Sequence, residues 1–400
     1  MGRAARRRAC NRSGHPSGAP RPRPRRDRPV LVTFAWRAGR TTGSLLVAAA
    51  LVGLTAVPAA ADPIRDRQWY LTALQVSRAH GLTEGRGVTV AVIDTGVDAG
   101  HRDLAGAVMP GLDVYPNAKG DGREDLAGHG TEMAGIIAAR GHSTSDGVLG
   151  IAPAAKILPI RAPIDGYASS GYMREAVAFA KKQGADVINM SFGTSDDVPL
   201  REAVRAAQAA DIVLVAASGN KGAPGDDYPG KYPEVLTVGA TDRNGKVAEL
   251  SVTGSQVDLT APGVDIATTG IYGSGYQQGS GTSQATAVVS GAAALIRAKF
   301  PDLSAAEVAH RLTATATDAG APGRDDSYGY GRLDLVKALT AAVPPLAASS
   351  PSTEGKQAPA REAEAEPAKR VSPLLFAGGA AIVVLLIGGL VVGLMLRRRR

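Results

Sequence analysis

The chain has 400 residues, of which 44% are hydrophobic and only 4% aromatic, with a single cysteine. Its net charge of +8 would fit a nucleic-acid binder, but residues 1–61 hold twelve Arg against one Asp and residues 397–400 are all Arg, which leaves residues 62–396 seven charges negative. An acidic body between basic ends argues against a nucleic-acid surface and puts the arginines where membrane-topology signals belong.

Residues 1–43 are polar, Arg- and Pro-rich and without a helical or strand period, so no structure is expected there. Residues 44–57 form a mostly apolar run, and Ala59-Ala60-Ala61 follows as an A-x-A site. This is the pattern of a secretory signal peptide cut after Ala61. The long basic leader is an extended n-region or the product of a start placed upstream of the true one, for instance Val30 or Val32, with Arg25-Arg26 as a twin-arginine signal the weaker alternative. The one cysteine, Cys10, lies in the removed segment, so the mature chain has no disulfide. Residues 62–86 are too few for a folded prodomain. Their cluster Trp69-Tyr70-Leu71-Thr72-Ala73-Leu74 is apolar enough to dock, and the segment reads as an N-terminal arm.

From residue 87 onward, apolar β-type runs alternate with helical segments. Strands are expected over 88–93, 156–160, 187–190, 212–217 and 235–239, and helices over 131–140, 173–183, 200–210, 283–299 and 305–313. The last helix opens with a capping box, Ser304 to Glu307. Continuous apolar strands separated by helices predict an α/β fold, a parallel sheet with helices on both faces. That domain runs to residue 342. Residues 343–373, rich in Pro, Ala and Glu, read as an exposed linker. Residues 374–396 are 23 uncharged residues, long enough to span a bilayer. The four arginines after them predict a cytoplasmic tail, with the rest of the chain outside the membrane.

Three short stretches carry chemistry. Gly279-Ser280-Gly281-Thr282-Ser283-Gln284-Ala285 is a glycine-rich turn that delivers Ser283 to the first turn of a helix of small residues. A serine hydroxyl is a weak nucleophile and needs a base, and the base an orienting group. His129, between Gly128 and Gly130, suits the base, and Asp94, closing the apolar run Val88-Thr89-Val90-Ala91-Val92-Ile93, suits the orienter because a strand end should be buried. Ser195 repeats the Gly-Thr-Ser tripeptide but enters a polar loop, and His101 sits in a loop with Asp98 and Asp103, both expected to face solvent.

The order Asp, His, Ser and the three motifs together resemble the subtilisin family of serine proteases, over roughly residues 87–339. The resemblance implies a serine endopeptidase acting through an acyl-enzyme, with Asp94, His129 and Ser283 catalytic and a polypeptide as substrate. It makes Asn220, in Ala217-Ser218-Gly219-Asn220, the side-chain donor to the oxyanion, beside the backbone N–H of Ser283. It also makes Ser191, Phe192 and Gly193, with Ala217, Ser218 and Gly219, the walls that pair with substrate backbone. Acidic pairs such as Asp226-Asp227 and Asp325-Asp326 could ligate calcium but match no loop with defined ligand positions and read as solvated loops, so no metal or other cofactor is assigned. The order of signal, arm, protease, linker, membrane span and Arg tail is similar to the mycosins, the membrane-anchored subtilases of bacterial type VII secretion. That likeness implies a membrane location, a partner in the secretion membrane complex, and a rival role as a structural subunit of it.

Overall fold

The computed structural model describes residues 63–346 except 116, 144–145, 165–167 and 224–226. Seven strands make its central sheet: Thr89–Asp94 (β1), Leu112–Asp113 (β2), Lys156–Arg161 (β3), Val187–Met190 (β4), Val213–Ala217 (β5), Leu236–Thr241 (β6) and Leu259–Pro262 (β7). Their spatial order is β2-β3-β1-β4-β5-β6-β7, and every pairing is parallel. β4 to β7 are buried at every position. Both faces are covered, which is why β5 reads as an unbroken apolar run and why Asn189, Thr237 and Thr260 in the other strands are buried as well.

The period-2 geometry of β1 distributes its side chains between two cores. Val90 and Val92 pack in one core with helices His129–Ala138 (α4) and Thr282–Lys299 (α7). Ala91 and Ile93 pack in the other with Ser170–Lys182 (α5) and Val198–Gln208 (α6). α7 is buried from Thr282 to Arg297, and its Ala, Gly and Ser positions let neighbouring elements approach closely. A Cβ placed on Gly291 would lie 2.6 Å from that of Ile151.

All ten expected elements are present, with ends shifted by three residues or fewer, and Ser304 and Glu307 make both bonds of the capping box that opens Ala305–Ala314 (α8). The sequence did not reveal β2, β7, the antiparallel pair Ile266–Thr269 (β8) and Tyr276–Gly279 (β9), or Leu335–Thr340 (α9). β2 has only two residues and β9 is largely polar, so pairing partners rather than local pattern make them strands.

The arm coils into three short helices, Pro63–Arg67 (α1), Trp69–Ala73 (α2) and Val76–His80 (α3), and it docks as expected. Tyr70 is wholly buried, the Trp69 indole donates to the Val264 carbonyl at 3.1 Å, and the Gln68 amide makes both bonds of a backbone partner to Leu149, each 2.9 Å. Among the described residues no helix is long and apolar enough to cross a membrane. The signal segment, the linker and the expected span at 374–396 lie outside the described residues.

Candidate active site

Because the strands are parallel, their carboxyl ends share one edge, and open α/β sheets bind ligands there. Asp94 ends β1, Ser191 follows β4, and Asn220 comes three residues after β5. These strands are immediate neighbours, so residues 94, 191 and 220 are drawn together from well-separated parts of the chain. α4 and α7 both begin at this edge, the first with His129 and the second with Ser283 as its second residue.

Asp94 is fully buried, and both its carboxylate oxygens accept from His129 Nδ1, at 2.8 and 2.9 Å. That contact fixes the proton on Nδ1 and leaves Nε2 as the basic nitrogen. A second buried carboxylate, not found from sequence, holds the pair in register. Asp125 accepts from the Thr95 hydroxyl and from the N–H groups of Gly128 and Thr131, so it ties the residue after Asp94 to the first turn of α4. Its place four residues before His129 is the available sequence signal. Gly130 is required because the end of β1 passes so close that any Cβ there would strike the Gly96 carbonyl.

Ser283 is held by α7 and β4 together. Its hydroxyl donates to the Ser191 carbonyl at 3.3 Å, while the Ser191 hydroxyl donates to the Ser283 carbonyl at 3.2 Å. The Asn220 amide is oriented by its neighbour: Oδ1 accepts from the Thr282 N–H at 3.0 Å and from the Thr282 hydroxyl at 3.2 Å, which leaves Nδ2 as the donor. His129, Asn220 and Ser283 face one cavity of about 330 Å³, within the usual range for ligand sites. Ser191, Phe192, Gly193, Ala217 and Gly219 line it as well. Ser218 alone of the expected wall residues does not; it is fully buried, and its hydroxyl donates to the Val252 carbonyl.

The electrostatics favour a charged imidazole. Burial disfavours the His129 cation, but the charge and hydrogen bond of Asp94, with smaller help from Glu132 and Asp125, outweigh it and raise the pKa above the ordinary histidine value. Glu132 is buried one helical turn beyond His129, and burial raises its pKa against the opposing pull of His129 and Gln284. It accepts from the amides of Gln284 at 2.7 Å and Gln277 at 3.0 Å, joining α4 to α7 and β9.

The decoys resolve differently. His101 Nε2 bonds the Gly275 carbonyl at 2.7 Å, and Ser195 lies in the turn before α6. The expectation of a solvent-facing Asp103 is wrong: it is wholly buried, bonding His142 Nδ1 at 2.7 Å and the Val148 N–H at 2.8 Å. Its loop is pinned by the segment that follows α4 rather than left in water. Among the described residues no cluster could hold a metal ion, and Asp226 lies outside them.

An acidic residue orienting a histidine, a serine at a helix start and an amide donor on one sheet edge are the groups that a hydrolase site of the serine type requires. The chain belongs to the subtilase family, whose family model matches residues 85–331, and is a subtilisin-type serine endopeptidase. More narrowly, it is similar to Mycosin-1 of Mycobacterium tuberculosis, 36% identical over an alignment of 344 positions that covers 72% of this chain and 76% of that one. The structure resembles that of the serine protease MycP1, an essential component of the type VII (ESX-1) secretion system, with a TM-score of 0.62, 33% identity and coverage of 70% and 90% of the two chains. It also resembles a chain of an intact ESX-5 inner membrane complex, with a TM-score of 0.62, 32% identity and coverage of 82% and 89%.

Proposed function

We propose that Asp94, His129 and Ser283 cleave peptide bonds through an acyl-enzyme, and that the enzyme works at the outer face of the cell membrane beside a type VII secretion complex. The observation that carries the chemistry is the two-oxygen grip of Asp94 on His129 Nδ1, with Nε2 left to a cavity shared by Ser283 and Asn220. In the reaction Ser283 Oγ leaves the Ser191 carbonyl by rotation about χ1 and attacks the scissile carbonyl carbon as Nε2 takes its proton. Nδ2 of Asn220 and the Ser283 N–H receive the developing oxyanion. The imidazolium then gives its proton to the leaving amine, and water repeats the sequence on the acyl-enzyme.

The test is labelling with a serine-directed fluorophosphonate followed by mass spectrometry. Modification at Ser283, lost in Ser283→Ala, is expected; modification elsewhere or none would overturn the assignment. Ser283→Ala should also lower kcat by about 10⁵- to 10⁶-fold.

The location rests on the signal at 44–61 and the apolar run 374–396, with residues 87–342 as the exported protease domain and 343–373 as its tether. Likeness to a chain of the ESX-5 inner membrane complex supports this reading and favours a second one, a structural subunit for which cleavage is secondary. Secretion that persists with Ser283→Ala in the producing cell but fails on deletion of the gene would select the second. Appearance of the protease in the medium rather than the membrane fraction would exclude both placements.

A further inference from the structure

The walls of the cavity beside Ser283 are mostly uncharged, and among the described lining residues only His129 and Asp227 are ionisable. Asp227 stands where the two walls meet. Its backbone bridges to Thr194, the residue after Gly193, and the neighbouring Tyr228 carbonyl accepts from the Thr194 N–H at 2.8 Å. Its Oδ1 lies against Gly219, so close that a Cβ on that glycine would strike it. The carboxylate therefore closes the gap between the 191–193 and 217–219 segments.

From this geometry we propose that Asp227 selects lysine or arginine at the substrate residue that supplies the scissile carbonyl. The inference rests on the site proposed above. The aliphatic stem of such a side chain would lie along Phe192 and Ala217, with the cation meeting Asp227 between the walls. Lys231 already pairs with Asp227 Oδ2 at 3.2 Å, but its side chain is 39% exposed, and ion pairs of that kind hold weakly. A substrate cation enclosed by apolar walls interacts more strongly with the same carboxylate, since water screens it less. Lys231 then swings to solvent or shares the carboxylate.

The test uses the whole protein and matched chromogenic peptides that differ only in that residue: lysine, arginine, leucine or glutamate. Fluorophosphonate labelling at Ser283 is measured first on each variant, so that folding and nucleophile are checked independently of the peptides. The parent should show higher kcat/KM for lysine and arginine than for leucine. Asp227→Asn should lower the lysine-to-leucine ratio by about tenfold, the equivalent of one ion pair's preference, and Lys231→Met should raise it. A parent that prefers leucine, or a ratio unmoved by Asp227→Asn with Ser283 still labelled, overturns this proposal alone. Absence of labelling at Ser283 in the parent overturns the site assignment and this proposal with it.

Discussion

Glu132 shows how much a single side chain can couple. It links the helix that begins at His129 to the helix that carries Ser283, yet the Oε1 of its partner Gln284 is buried without a hydrogen bond. Glu132→Gln lets the Gln284 amide turn over, so the new amide donates to Oε1 and the bridge survives without its charge. Stability should change little, while the acid limb of kcat/KM moves to lower pH, because a negative charge that favoured the His129 cation is gone. Glu132→Ala leaves the buried Gln284 amide and the half-buried Gln277 amide without their acceptor and should cost about 1–3 kcal/mol in urea unfolding. An unmoved pH profile in Glu132→Gln would show the charge to be irrelevant to the imidazole. The Gln284 partner of Glu132 stands 152 positions away, and no local pattern pairs them. The same holds for Asp227, which from sequence alone reads as part of a solvated acidic pair and in the fold borders the cavity.

The elements divide by how local their causes are. β1, β4, β5 and α7 were legible because burial on both faces, or on all sides, leaves a continuous apolar or small-residue run in the chain itself. β8 and β9 were not, since each is a strand only by pairing with the other. The arm falls between: its aromatic cluster announced docking but not the partner. Gln68 is 2% exposed and satisfies both backbone groups of Leu149, so Gln68→Ala should leave them unpaired and cost about 1–3 kcal/mol, read as a lower urea midpoint with an unchanged slope. Loss of cooperativity instead would mean that the arm unfolds as a separate unit.

For the whole molecule, one proton connects stability with turnover. The His129 pKa is higher folded than unfolded, so the stability this group contributes is complete below its ordinary value of 6.5 and is lost as pH rises through the folded value. Glu132, also raised, acts in the same sense at lower pH. In the mechanism proposed above turnover needs neutral imidazole, and it should increase over the range in which the His129 contribution disappears. kcat/KM should therefore climb above neutral pH while the unfolding free energy declines, and Asp94→Asn should move the decline to lower pH. Two curves rising together would contradict this linkage. The sequence by itself determined the alternation of strands and helices, the buried strand end at Asp94, and the helix starts that carry His129 and Ser283, because these depend on neighbours along the chain. Only the tertiary structure decided that β1, β4 and β5 lie side by side, that Asp125 and Glu132 brace the histidine, and that Asp227 borders the cavity, because strand order and packing join residues tens to nearly 200 positions apart.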